Sequence, residues 1–114
     1  MKGINKRLIV MAKEPVPGQV KTRLCPPCTL EEAARLYRCL LLDTFELVSR
    51  LRGVTVTVAY SPPAAEEAFK IMAPPAFELM PQRGADLGER LSGAFEQLFS
   101  LGYERLVAIG ADSP

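Results

Sequence analysis

The sequence predicts an α/β fold: a Rossmann-like parallel sheet in three layers, with helices on both faces. Three observations predict it. Short apolar or β-branched runs recur four times along the chain, helical patterns separate them, and 114 residues suffice for one domain with a real core but not for two. Strands that alternate with helices return by right-handed crossovers, and such crossovers make the sheet parallel and cover it on both sides.

The first strand is Arg7-Leu8-Ile9-Val10-Met11-Ala12, a continuous apolar run bounded by charge. Val54 to Tyr60 (VTVTVAY) is rich in β-branched residues, so both segments read as buried strands. Phe77 to Met80 is a weaker candidate and Arg105 to Gly110 a good one. Between the first two strands, Thr29 followed three residues later by Glu32 is a capping-box signature. Ala33, Tyr37, Leu40, Leu41, Thr44, Val48 and Leu51 then recur at helical spacing, with an expected end near Arg52-Gly53. Ser61 before Pro62 suits an N-cap with proline at the first helical position, opening a short helix through Glu66 to Met72. Asp86 with Glu89 repeats the capping-box pattern. Leu87, Leu91, Ala94, Phe95, Leu98 and Phe99 form the apolar stripe that follows, up to Gly102.

Composition narrows the function. Hydrophobic residues make up 48% of the chain and the formal net charge is +1, which offers no broad field for nucleic acid or an acidic membrane; binding must come from local sites. The start is basic, but the apolar run Leu8 to Ala12 is too short for a signal-peptide core or a membrane span, so a cytoplasmic location is expected. Three cysteines without an export signal point to reduced thiols. The absence of histidine removes the commonest general base and the commonest transition-metal ligand.

In a parallel sheet, ligands sit beyond the carboxyl ends of the strands, where strand order reverses. The loops of interest therefore follow Ala12, Tyr60, Met80 and Gly110. Seventeen residues separate Ala12 from the helix at Leu30, against roughly two to six in ordinary strand-to-helix loops. That loop contains Pro15, Pro17, Gly18, Lys21 and Arg23. The prolines restrict the backbone, Gly18 permits a close approach or a positive φ, and Lys21 and Arg23 supply cations suited to phosphate oxygens. A solvated basic loop has the same composition, and the G-x-x-x-x-G-K-[ST] pattern is absent. Asp112, just past the last strand, suits either a Mg²⁺ ligand or an Asp-Ser-Pro turn. Asp86 suits an N-cap, and the amides of its helix start also suit an anion. Cys25-Pro26-Pro27-Cys28 at a helix start admits a thiol redox pair, and with Cys39 a three-thiolate zinc site.

Four segments together resemble one family. They are A-K-x-P-x-P-G-x-V-K-T-R-L at Ala12 to Leu24, A-A-x-L-Y at Ala33 to Tyr37, G-x-D-L-G-x-R at Gly84 to Arg90, and G-x-D-S-P at Gly110 to Pro114. In this order they resemble the DUF2064 group, also called radical-SAM/selenodomain-associated transferase 1, within the nucleotide-diphospho-sugar transferase superfamily and its GT-A fold. The resemblance implies strand order 3-2-1-4 and a nucleotidyl- or glycosyltransferase that binds a nucleoside triphosphate or nucleotide-diphospho-sugar with Mg²⁺ or Mn²⁺. It implies catalytic roles for Lys21, Arg23 and Asp112, with Asp112 on the metal. It also implies a nucleotide-binding set of Ala12, Lys13, Gly18, Lys21, Thr22, Arg23, Gly84, Asp86 and Gly88.

The glycosyltransferase Asp-x-Asp pair is not matched, because Gly110 stands where a carboxylate would be. Members of the superfamily are about twice as long, so residues 1–114 are expected to form the nucleotide-binding part of a single domain, with an exposed apolar edge and a tendency to self-associate. Other expectations stay open at this stage: a thiol redox domain, or a binding domain without catalysis.

Overall fold

The first strand, β1 (Lys6–Lys13), lies inside the sheet rather than at an edge, which explains its unbroken apolar run. In the computed structural model, which describes residues 6–84, 87–100 and 105–110, four parallel strands run in the order β3-β2-β1-β4. The others are β2 (Thr55–Ser61), β3 (Glu78–Pro81) and β4 (Arg105–Gly110). β1 pairs with β2 from Arg7↔Thr55 to Lys13↔Ser61, and with β4 from Lys6↔Arg105 to Met11↔Gly110. β2 pairs with β3 from Thr57↔Glu78 to Tyr60↔Pro81. The expected fold class and strand order are both found.

Alternate side chains of each strand feed two cores. Leu8, Val10, Ala12, Val56, Val58 and Tyr60 share one with α1 (Leu30–Ser49) and α2 (Glu66–Met72). Ile9, Ala59 and Met80 share the other with Ala94 and Leu98 of α3 (Leu87–Ser100). Ile9, Val10, Leu41, Phe45, Val58 and Phe69 are fully buried, each contributing about 1.5–3 kcal/mol relative to an exposed side chain. Tyr60 stacks on Phe69 with ring centroids 5.4 Å apart, and Phe45 meets Phe77 edge-on at 5.7 Å.

α1 starts where its capping box predicts. The Thr29 N–H donates to Glu32 Oε1 at 2.8 Å, and the Glu32 N–H donates to Thr29 Oγ1 at 3.1 Å. The helix ends earlier than the apolar period suggests. Arg50 and Leu51 close a tighter final turn, their N–H groups reaching Leu47 and Val48 carbonyls at 3.3 and 3.1 Å, and Gly53 at φ 74° redirects the chain. Leu51 therefore lies outside the helix and is exposed, while Phe45 takes a core place. Thr44 is only half-buried and bonds its own helix, Oγ1 to the Leu40 carbonyl at 2.8 Å.

The expected Ser61 N-cap is not formed. Ser61 still belongs to β2, where it pairs with Lys13, and its carbonyl accepts from the Glu14 N–H at 2.8 Å. A 3₁₀ turn at Pro63–Ala65 intervenes before α2, with Pro62 at its N-cap position and no side-chain cap. The capping role expected of Asp86 at the start of α3 lies outside the described residues, and so does Gly102.

Arg7, read from sequence as a charged boundary of β1, is instead buried. Its side chain is 0% exposed, donating to Glu78 Oε1 at 2.7 Å and to Thr57 Oγ1. Neighbouring strands thus supply the compensation that a buried charge requires. At the β4 edge Val107 is 60% exposed. Among the described residues no helix is long and apolar enough to cross a membrane.

Candidate functional site

Strand order reverses between β1 and β4. β1 connects to β2 on one side, while the chain that leaves β3 crosses to the other side and returns as β4, with Gly110 beside Met11. The carboxyl ends of β1 and β4 therefore border the crevice where parallel sheets bind ligands.

The loop leaving β1 is an ordered structure with several anchors. The Lys13 N–H donates to the Tyr37 hydroxyl at 2.8 Å, so a buried tyrosine of α1 holds the loop's first residue. The Val16 N–H reaches the Glu14 carbonyl at 2.8 Å and the Gln19 N–H reaches the Val16 carbonyl at 3.0 Å. Gly18 follows at φ +87°. A Cβ there would meet only Leu30 Cδ1, at 4.0 Å, so the requirement for glycine is conformational rather than steric. Val20 is buried and pins the loop to the core.

Lys21 then takes φ +55°, the one non-glycine residue with positive φ among those described. It leads into a 3₁₀ turn at Thr22–Leu24, closed by the Leu24 N–H on the Lys21 carbonyl at 3.0 Å. The first N–H groups of such a turn have no acceptor within it, and a left-handed residue followed by right-handed ones makes a concave array of donors suited to an anion. Lys21 is half-buried at this turn and Arg23 is exposed.

The residues after β3 lie at the same carboxyl end of the sheet. The Gln82 N–H extends the ladder to the Tyr60 carbonyl at 2.8 Å, and its side-chain Nε2 donates to the Ala59 and Ala12 carbonyls at 2.7 and 3.2 Å. Gly84 sits at φ +125°. A Cβ there would fall 2.6 Å from Glu89 Cβ and 2.8 Å from the Arg90 backbone nitrogen, so this turn closes on α3 only because residue 84 is glycine. An open concavity of about 580 Å³ lies against it, lined by Arg83, Gly84, Gly88, Glu89, Ser92, Gly93 and Glu96.

The family described as uncharacterized proteins conserved in bacteria (DUF2064) matches residues 44–114. The chain belongs to the DUF2064 family. A crystal structure from Desulfovibrio desulfuricans G20, of a protein provisionally named a nucleotide-diphospho-sugar transferase, is 34% identical and superposes with a TM-score of 0.87, covering 97% of this chain and 50% of that one. This DUF2064 chain thus spans half the length of that relative. No curated protein matches it.

Set against these comparisons, the expected site residues of the DUF2064 chain fall into groups. Lys21, Thr22 and Arg23 share one turn. Ala12 is joined to the segment after β3 by Gln82, and Gly84 and Gly88 line one concavity. Asp86 and Asp112 lie outside the described residues. Tyr37, Gln82 and Arg90 were not singled out as site residues from sequence. A buried tyrosine needs a hydroxyl partner, and this was the available signal for Tyr37.

The cysteines lend no support to the redox and zinc expectations. All three are free. Burial first, then Cys28, Glu32 and Glu31, push the Cys25 thiol above its ordinary range, opposite to the activation a redox nucleophile needs. Cys39 is exposed, about 14 Å along α1 from Leu30, which separates it from the other two. Among the described residues no three His, Cys, Asp or Glu side chains are grouped to hold a metal.

Proposed function

We propose that this chain forms the nucleotide-binding part of a transferase acting on a nucleoside triphosphate or a nucleotide-diphospho-sugar. The observation that carries the reading is the Lys13–Leu24 loop at the strand-order reversal, with left-handed residues at Gly18 and Lys21 and a donor-rich 3₁₀ turn. The name of the Desulfovibrio relative supports the same substrate class.

In this reading the N–H groups at the start of the turn donate to phosphate oxygens, and Lys21 and Arg23 neutralise phosphate charge as an acceptor attacks and pyrophosphate or a nucleoside diphosphate leaves. No protein nucleophile takes part. Mg²⁺ or Mn²⁺, when bound, would stabilise charge on the phosphates. Asp112, two residues beyond Gly110 in sequence, would hold it. A single carboxylate with phosphate oxygens and water is an ordinary Mg²⁺ donor set.

The test is calorimetric titration of CTP, GTP, UTP and a nucleotide-diphospho-sugar in the presence of Mg²⁺. Lys21→Ala, Arg23→Ala and Asp112→Ala should each weaken binding about tenfold or more, the scale of a lost charge-assisted hydrogen bond. Saturable binding that all three variants leave unchanged would overturn the assignment.

A further inference from the structure

At the carboxyl end of the sheet one side chain reaches across three strands. Gln82 follows Pro81, the last residue of β3, and its backbone N–H bonds the Tyr60 carbonyl at 2.8 Å. Its amide Nε2 donates to the Ala59 carbonyl of β2 at 2.7 Å and to the Ala12 carbonyl of β1 at 3.2 Å. Its Oε1 accepts from Arg90 Nη1 of α3 at 3.3 Å, and Arg90 Nε donates to the Gly84 carbonyl at 3.1 Å.

Few side chains can do this. A glutamine amide has two N–H donors and a carbonyl acceptor on one planar group, and here both kinds of atom are engaged by the protein. Glutamate would set a carboxylate against two carbonyl oxygens. Methionine matches the length and makes none of the bonds.

The sheet does not depend on these bonds for its integrity, because the β1–β2 ladder already runs from Arg7↔Thr55 to Lys13↔Ser61. What the Gln82 bonds add is a tie between two loop origins. Ala12 immediately precedes the Lys13–Leu24 loop, and Gly84 closes the turn onto α3.

We propose that Gln82 is a positioning residue, holding the Lys13–Leu24 loop in register with the turn at Gln82–Gly84 so that a ligand is gripped from both sides at once. The ligand half of this statement rests on the nucleotide reading above; the loop half does not.

The experiment compares Gln82→Met and Gln82→Glu with the wild type in the full chain. Amide hydrogen exchange without ligand reports residues 13–24, with the buried centre of β1 as the internal reference for folding. Titrations with CTP, GTP and UTP in the presence of Mg²⁺ report binding. Exchange over residues 13–24 should accelerate about fivefold to tenfold, with nucleotide affinity falling by a similar factor, as expected when about one net hydrogen bond of restraint is lost. The β1 centre should stay protected.

Unchanged exchange over residues 13–24 in either folded variant overturns the proposal, and if affinity nevertheless falls, Gln82 touches the ligand itself. Faster exchange in a protein whose wild type binds none of these nucleotides supports the positioning role and defeats the nucleotide reading. Faster exchange with wild-type affinity removes the claim that the ligand is gripped from both sides.

Discussion

Replacing Lys21 by glycine and, separately, by alanine isolates the strain stored in the candidate phosphate loop. Lys21 holds φ +55°, where a side chain with a Cβ costs about 1–2 kcal/mol relative to the right-handed region. Glycine removes that penalty, but it brings extra freedom to the unfolded chain, which offsets about 0.5–1 kcal/mol. The balance predicts that Lys21→Gly is more stable than Lys21→Ala by about 0.7 kcal/mol. Both variants lose the ammonium group and every contact it makes, so the difference between them reports the backbone alone. Urea unfolding measures it, provided the two variants share one m-value. Nucleotide affinity should fall in both, because the charge is gone from both. An alanine variant as stable as the glycine variant, or more so, would refute the claim of strain at residue 21. The inference from strain to function would then lose its footing.

Four further outcomes follow from other contacts. Gly84→Ala forces a Cβ to within 2.6 Å of Glu89 Cβ and 2.8 Å of the Arg90 backbone nitrogen at φ +125°; it should destabilise the protein by more than about 2 kcal/mol in thermal or urea unfolding. Tyr37→Phe removes the hydroxyl that accepts the Lys13 N–H at 2.8 Å; unfolding should show a loss of about 1 kcal/mol, with faster amide exchange at Lys13. Thr29→Ala removes the α1 cap and should cost about 1 kcal/mol at neutral pH. The Thr29 backbone N–H, then its hydroxyl, hold the Glu32 carboxyl below its ordinary range. The stability from that bond is present above the unfolded carboxylate value of about 4.3 and is lost as pH falls through the lower folded value. Glu32→Gln should therefore flatten the acid limb of the stability curve.

The fold was legible because its main signals are local. β1 and β2 are covered on both faces, so their apolar runs need no alternation, and the Thr29/Glu32 box marks a helix start within four residues of sequence. β3 is the faintest element for a physical reason: it has only four residues, of which Met80 alone is buried. The end of α1 was overshot because Leu51 continues the apolar period, whereas the helix is stopped by bonds from Arg50 and Leu51 back to Leu47 and Val48. Period alone carries no information about where such bonds form.

The site was legible to a different depth. Gly18 announces its positive φ by being glycine, whereas Lys21 gives no such sign, since lysine has no intrinsic preference for that region. Tyr37 to Lys13 and Gln82 to Ala12 are side-chain bonds to backbone atoms 24 and 70 residues away, and no spacing rule predicts them. Basic residues stand at both ends of β1, Lys6 and Arg7 at its start and Lys13 at its finish, so charge alone does not say which end meets a ligand. Strand direction does. At the amino end the fold brings Glu78 to 2.7 Å from Arg7 and uses that cation internally. At the carboxyl end it leads instead into a long loop at the strand-order reversal, where Lys21 is held in a conformation its own side chain disfavours. A backbone held at positive φ by a residue with a Cβ, leading into a turn whose first N–H groups find no acceptor within it, is an arrangement suited to an anion.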